Sequence, residues 1–389
     1  MRSVSDPSAL PASVATPSPD RWLTTRRRAL LVALLIYTFL VGVSSLETGI
    51  KILGADTQER LFSAVSNPLA GLFVGILATV LVQSSSASTS IIVGLVASGA
   101  VSLEAAVPMI MGANIGTTVT NTLVSLGHVR RSNEFTRAFA AATVHDFFNV
   151  FAVAILLPLE LTTGALSRIA TWISDRLVGS AGAEWESPVK ALVSWPIDRF
   201  RGLAGDLGVS DPVVGPILIG LGLLVILTSL TFITKNMRRL VANRVERSVN
   251  AMLGRGGGLV AMTLGVIVTI SVQSSSITTA ILVPLAASGV ITLRNAYPVT
   301  LGANVGTTIT ALLAALAASR PEALTIALLH TVFNVVAIML IYPIRSVRDL
   351  PIRAAEALAT VAATRTHWAV GYVFGLFIIV PLVGIVVLR

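Results

Sequence analysis

Uncharged stretches recur along the chain at 29–46, 68–103, 105–127, 138–159, 212–234, 256–293, 295–319, 323–343 and 368–388, with Asp146 the one formal charge inside them. An α-helix needs about 20 apolar residues to cross a bilayer, and most of these stretches are close to that length. Two are too long for one crossing, 68–103 and 256–293, and each is interrupted midway by Gln-Ser-Ser-Ser, at 83–86 and 273–276. They predict re-entrant helical hairpins with the polar motif at the tip, because non-helical backbone is tolerated at membrane depth where it lines a cavity. Arg26-Arg27-Arg28 before the first stretch has the look of a signal-peptide n-region. The run that follows is long enough to span and no clear Ala-x-Ala site follows it, so it predicts a first transmembrane helix.

Composition narrows the class. The chain is 54% hydrophobic and 12% charged, where soluble domains are about 25% charged, and its mean hydropathy is +0.84. A soluble enzyme, a disordered chain and a fibrous repeat are excluded. With no cysteine, a disulfide scaffold, thiolate metal sites and cysteine catalysis are excluded too. The net charge of +9 follows from topology. With the N-terminus inside and each hairpin returning to its own side, segments 1–28, 128–137, 235–257, 294 and 344–367 collect +13 on the cytoplasmic side. The opposite segments, 47–67, Glu104, 160–211, 320–322 and Arg389, collect −3. That asymmetry is the positive-inside rule, and no aromatic-interleaved basic patch points to nucleic acid. The expected organisation is a disordered tail over 1–28, a membrane repeat over 29–160, an external loop over 161–211, a second repeat over 212–343, an amphipathic connection over 344–367 and a last helix over 368–389.

Shifted by 190 residues, the chain matches itself. Residues 75–99 and 265–289 are identical at 14 of 25 positions, and Gly112-Ala-Asn-Ile-Gly-Thr-Thr118 falls on Gly302-Ala-Asn-Val-Gly-Thr-Thr308. At an offset of 185, His145 and Asn149 fall on His330 and Asn334. Each repeat reads as span, hairpin, span, span. Three crossings is an odd number, so the second copy starts on the opposite face. The expected fold is an all-α polytopic membrane protein with an inverted-topology repeat, each half carrying a re-entrant hairpin with Gln-Ser-Ser-Ser and an interrupted helix. This is a common architecture of secondary transporters, whose substrate sites lie where paired segments are broken.

Candidate chemistry clusters at those breaks. Gln83, Ser84, Ser85 and Ser86, with Gln273, Ser274, Ser275 and Ser276, bring hydroxyls and free backbone amides to the membrane centre. Hydroxyls donate and accept, so they suit an oxyanion through their protons and a small cation through their lone pairs. Scattered Ser and Thr in membranes commonly only pack helices, but a doubled four-residue motif at matched positions argues for a site. Asn114, Thr117, Thr118 and Thr120, with Asn304, Thr307, Thr308 and Thr310, form a second pair, and the glycines beside them predict unwinding. Such neutral oxygens suit hard monovalent cations; the competing reading is a kink with Thr bonded to its own turn. Asp146 is matched by Thr331 in the other repeat, and a buried acid at membrane depth is a functional-site hypothesis by default. His145 and His330 read as interhelical hydrogen-bonders. No transition-metal site, Walker sequence or nucleophile elbow is present.

These residues resemble the type II sodium-dependent phosphate cotransporters. The resemblance runs from Ser66-Asn-Pro-Leu69 through Gln83-Ser-Ser-Ser-Ala-Ser-Thr-Ser90 and Met111-Gly-Ala-Asn-Ile-Gly to Ala142-Thr-Val-His-Asp-Phe-Phe-Asn149 and Leu156-Leu-Pro-Leu-Glu160. It resumes at Val272-Gln-Ser-Ser-Ser276, Ala296-Tyr-Pro298, Gly302-Ala-Asn-Val-Gly-Thr-Thr308 and Tyr342-Pro-Ile344, covering nearly everything from residue 30 onward. It implies sodium-driven uptake of divalent phosphate, with phosphate between the two Gln-Ser-Ser-Ser tips. One sodium site would use Gln273, Ser274, Thr307 and Thr310, and Asp146, near Asn149, would mark a charge-moving member where electroneutral ones carry glycine. Animal members have a long glycosylated, disulfide-bonded external loop. Here 160–211 is short and has neither cysteine nor an Asn-x-Ser/Thr acceptor. The seven crossings counted place Arg389 outside, whereas the family places both termini inside, so a miscount is expected at 350–364 or at a hairpin.

The expectation is therefore an electrogenic, multi-pass plasma-membrane symporter working by alternating access. It is not an enzyme, has sodium as coupling ion and no other cofactor, and has phosphate, sodium and lipid as partners, with a homodimer left open. A sodium-coupled sulfate or dicarboxylate carrier and a phosphate-linked membrane regulator are the alternatives.

Overall fold

The computed structural model describes residues 24–178, 189–255 and 257–388, and every element among them is helical. The expected tail lies outside the described residues as far as residue 23. From there α1 (Thr25–Ile52) takes in the three arginines, and Thr24 caps it by accepting from the Arg27 amide. Then come α2 (Ala55–Val65), α3 (Pro68–Val82), α4 (Ser85–Ser98), α5 (Leu103–Gly116), α6 (Val119–Ser125), α7 (Ser132–Thr163), α8 (Ala165–Val178) and α9 (Lys190–Asp206). The second half carries α10 (Asp211–Arg255), α11 (Gly258–Val272), α12 (Ser275–Ala287), α13 (Leu293–Ala315), α14 (Pro321–Ile341) and α15 (Arg345–Thr364). It ends with α16 (Thr366–Phe374) and α17 (Val380–Leu388), joined by a π-helical turn. Six helices among the described residues are long and apolar enough to cross a membrane: Thr25–Ile52, Ser132–Thr163, Asp211–Leu240, Leu293–Ala315, Pro321–Ile341 and His367–Leu388. The chain is a polytopic membrane protein.

The Gln-Ser-Ser-Ser motifs join short apolar helices. At 15, 14, 15 and 13 residues, α3, α4, α11 and α12 are each roughly 20 Å long, short of the hydrocarbon thickness of about 30 Å. The joints are alike. Gln83 (φ 55°) and Gln273 (φ 57°) are the two non-glycine residues of positive φ among those described. Such a backbone costs about 1–3 kcal/mol, and each glutamine side chain offsets part of it by donating to a carbonyl of the helix it ends: Val80 O at 2.6 Å and Ile270 O at 2.7 Å. Ser84 and Ser274 then turn extended and cap the next helix, accepting from the amides of Ala87 and Ile277.

One interruption is present and the other is not. The first repeat breaks at Thr117–Thr118 between α5 and α6, but α13 runs unbroken through Gly302–Thr308, correcting the expectation of an interrupted helix in each half. Past the common Gly-Thr-Thr, the first repeat has Asn121 where the second has Ala311. Asn121, within α6, donates sideways to Thr279 at 2.6 Å, a bond that Ala311 cannot make. The glycines have another use. A β-carbon at Gly112 would lie 2.0 Å from the Leu72 carbonyl oxygen, and one at Gly302 would lie 1.9 Å from that of Met262. They let α5 and α13 pack backbone to backbone against α3 and α11.

The repeats are interleaved. The helices α4 and α8 pack on α14, α12 and α15 pack on its counterpart α7, and α1 lies along α10. Residues 160–211, expected as a loop, hold α8 and α9 in their described part. Buried Glu160 accepts from the backbone amides of Leu166 (2.7 Å) and Ser167 at the start of α8. Residues 350–364, where a miscounted span was expected, lie in the amphipathic helix α15, whose buried face is Pro351, Ile352, Ala355, Ala359 and Ala362. Arg294 tethers it through Asp349 at 2.8 Å, and that guanidinium holds the Asp349 carboxyl below the usual carboxylate range.

Candidate functional site

Both Gln-Ser-Ser-Ser turns line one cavity of about 240 Å³, residues 83–86 from one repeat and 273–276 from the other. The rest of the wall is Val82, Ala87 and, from α10, Leu227, Leu230, Thr231 and Thr234. Among the described residues, no lysine, arginine, histidine, aspartate or glutamate lines it. Its polarity comes from hydroxyls, glutamine amides and backbone. The helices α4 and α12 begin at this cavity, at Ser85 and Ser275, and first-turn amides have no partner within their own helix. Ser84 and Ser274 each satisfy one such amide, at Ala87 and Ile277, leaving the earlier ones for a guest. Each helix start also carries about half a positive charge. The cavity thus has the polarity that suits an anion, with no cationic side chain among the described residues of its wall.

Behind each turn lies a set of neutral oxygens. Thr120 donates to Gln83 Oε1 at 3.1 Å and Thr310 to Gln273 Oε1 at 3.2 Å. Thr307 is one turn before Thr310 on the same face, with its hydroxyl on the Ala303 carbonyl (3.1 Å), as Thr117 is on that of Ala113 (2.8 Å). Hydrogen bonds thus join Gln273 to Thr310 and Gln83 to Thr120, while Thr307 and Thr117 are bonded within their own turns. Thr118 bonds to Ile115 O, and Thr308 bonds to Val305 O while accepting from Thr331.

Asn114, Asn149 and Asn304 lie elsewhere, in a buried junction between the repeats completed by Asn334 and His330. Asn304 Nδ2 donates to Asn149 Oδ1 and Asn334 Oδ1, both at 2.8 Å, and Asn149 Nδ2 donates to the Asn114 carbonyl at 2.7 Å. Asn334 Nδ2 and His330 Nε2 meet Asn114 Oδ1 at 3.4 Å. His330 thus bonds between helices as expected, whereas neither ring nitrogen of His145 has a partner within hydrogen-bond geometry.

Asp146 is fully buried, one turn before Asn149. Its Oδ2 accepts from the Tyr372 hydroxyl at 2.9 Å and from Thr122 at 3.3 Å, while Oδ1 has no protein partner. It does not line the cavity. Sequence reasoning missed several of these groups. Thr231 and Thr234, three apart in an apolar helix, were a readable signal. Tyr372 was not, because the last helix has no copy in the repeat. Asn121 and Thr279 pair only in three dimensions.

The fold and the site define a multi-pass helical membrane protein in which two copies of one unit enclose a single polar cavity. A family model described as the Na+/Pi-cotransporter matches residues 38–173 and 225–363, and the chain belongs to that family. It is similar to the sodium-dependent phosphate transport protein 2A of Rattus norvegicus, 36% identical over 416 residues, covering 89% of this chain and 65% of the relative. Sodium-dependent phosphate transport protein 2B of Homo sapiens is 33% identical over 444 residues, covering 91% of this chain and 64% of the relative. The chain thus spans somewhat less than two thirds of the length of these relatives. No solved structure matches it.

Proposed function

We propose that the chain is a secondary active transporter of the plasma membrane, not an enzyme, that couples sodium entry to uptake of inorganic phosphate. One observation carries this: two matched serine turns, each opening a helix, line one cavity that holds no charged side chain. An anion in such a cavity needs mobile cations beside it, because a bare charge away from water is very costly. The names of the relatives, sodium-dependent phosphate transport proteins 2A and 2B, supply the anion and the cation. Phosphate sits between Gln83, Ser84, Ser85, Ser86 and Ser274, Ser275, Ser276. Sodium uses the Gln273, Ser274, Thr307, Thr310 neighbourhood and the Oδ1 side of Asp146. The helix pairs joined at Gln83 and Gln273 are re-entrant hairpins, the two repeats have opposite orientation, and transport proceeds by alternating access. Residues 128–137 lie on the cytoplasmic side and 320–322 outside.

Radiolabelled phosphate uptake into proteoliposomes tests the proposal. Uptake should require an inward sodium gradient, saturate with phosphate and resist a tenfold excess of sulfate or succinate. Equal uptake in choline would refute sodium coupling, and full competition by sulfate or succinate would refute phosphate as the substrate.

A further inference from the structure

The two helices that start at the cavity both end at an arginine of the opposite repeat. The last residue of α12 is Ala287, and its carbonyl accepts from Nε and Nη2 of Arg137, on α7, at 2.9 and 2.6 Å. The end of α4 meets Arg320, the residue before α14. A β-carbon at Gly99 would lie 2.5 Å from Arg320 Nη1, and one at the matching Gly289 would lie 3.9 Å from Arg137 Cζ. Gly99 caps α4 and Gly289 follows Ser288, the cap of α12, at nearly the same backbone angle, φ 82° and 79°, and α7 and α14 are repeat counterparts. A helix C-terminus is a partial negative charge that favours a cation. Each arginine is therefore placed to hold the far end of a helix whose near end faces the anion.

The two clamps are not in the same state. Arg137 makes two hydrogen bonds to its carbonyl. Arg320 makes none to α4, its hydrogen bond going instead to Glu322 at 3.4 Å. It borders a cavity of about 560 Å³ that also takes in Gly99, Ser102, Glu104 and Glu59. Arg137 and Ala287 are in direct contact as donor and acceptor.

We propose that Arg137 and Arg320 are paired positioning residues whose clamps on α12 and α4 close alternately as the anion cavity is exposed to one side of the membrane and then the other. The proposal rests on the transporter reading and its sidedness, under which this structure has the cytoplasmic arginine hydrogen-bonded to its helix end and the external one beside its helix end but hydrogen-bonded to Glu322. Clamping a helix end fixes the aim of its first-turn amides, and releasing it lets the helix tilt away from the bound anion. A carrier needs two such discrete arrangements, since packed interiors switch between states and do not deform continuously.

The cysteine-free chain makes the test direct. Single reporters Ser98→Cys and Ala287→Cys, both at buried positions, are placed in the full chain in lipid nanodiscs. The rate of reaction with a membrane-impermeant maleimide is then measured without substrate. Arg137→Gln should speed labelling of the Ala287→Cys reporter at least fivefold and slow that of Ser98→Cys at least threefold; Arg320→Gln should shift both the other way. Arg137→Lys, which keeps the charge, should give the same signs at smaller size and serves if Arg137→Gln does not fold. A Ser98→Cys rate that stays within twofold while Ala287→Cys accelerates would make Arg137 a static brace and overturn the proposal. Failure of the transport reading is separate, since it is read from sodium-driven uptake by the unaltered chain.

Discussion

Replacing Gly302 with alanine separates two explanations for the paired Gly-Ala-Asn-x-Gly-Thr-Thr motifs. If the glycines exist to let the helix unwind, a methyl group should impair transport and leave packing intact. In the structure α13 is continuous there and Gly302 faces α11. The added β-carbon would lie 1.9 Å from Met262 O, 2.7 Å from Met262 C and 3.0 Å from Val266 N. An ordinary C···O contact is about 3.3 Å or more, so α11 and α13 must part by more than about 1 Å. The obstacle is backbone, which cannot rotate away. The reciprocal contact, Gly265 with its β position 2.1 Å from Val299 O, would be pulled apart as well. Overpacking costs about 1–3 kcal/mol, and this geometry belongs at the upper end. The gain in helix propensity, at most about 1 kcal/mol, offsets part of it, leaving a net loss of about 2 kcal/mol. Purified protein unfolded by heat or denaturant in detergent should show that loss. Gly220→Ala, on α10 with no atom within 4 Å of the added carbon, should be neutral or slightly stabilising. If Gly302→Ala unfolds with the parent while uptake falls, unwinding is the glycine's role and the packing argument is wrong.

Two further outcomes follow from the cavity and from Asp146. Ser84→Ala and Ser274→Ala each remove a cavity hydroxyl and a helix cap worth about 1 kcal/mol, so uptake per folded molecule should fall severalfold with a modest loss of stability; normal uptake from a destabilised protein would reduce the serines to helix caps. Asp146→Gly should abolish voltage dependence while retaining sodium-driven uptake, because each translocated charge gains about 2.3 kcal/mol per 100 mV and the variant lacks the charge that demands the extra sodium. A potassium–valinomycin potential imposed on proteoliposomes decides it: a folded variant that still responds to the potential means that Asp146 does not set the charge carried.

What the sequence disclosed follows from the range of the interactions involved. Apolar runs, breaks and the doubled motif are local, so the Gln-Ser-Ser-Ser turns were legible at residue resolution; their arrival in one cavity was pointed to by the repeat and implied by the family resemblance. The state of α13 was not legible. Its Gly-Thr-Thr is the same as that of α5, and past it the repeats differ, Asn121 bonding to Thr279 of the other repeat where the second repeat has Ala311. Asn114 and Asn304, expected beside the threonines, and Asn149, expected near Asp146, bond to one another and to Asn334 across the repeats, pairings that no local pattern encodes. The helices in 160–211 were hidden by their charged faces, which resemble loop until Glu160 is seen capping α8.

The cavity's charge also accounts for why coupling would be obligatory. Two helix starts supply about +1 between them, so a divalent anion leaves about −1 unmatched. No side chain in the wall supplies the rest. At 4 Å, and with the effective dielectric constant of about 20 suited to partly solvated protein sites, one added unit charge gains about 4 kcal/mol. That is comparable to the several kcal/mol a buried ion loses in leaving water. One cation beside the anion therefore decides whether the anion enters, and the Gln273–Thr310 neighbourhood lies directly behind the turn that would hold it. Asp146 stands outside the cavity wall with one oxygen held by Tyr372 and Thr122 and the other without a protein partner. Its negative charge calls for a further cation that the anion alone does not need. A chain with fixed lysines in the wall would bind phosphate without sodium and would have no reason to release it when sodium leaves. Under the proposed function, the neutral cavity would tie affinity for the anion to the presence of the ion whose gradient drives it.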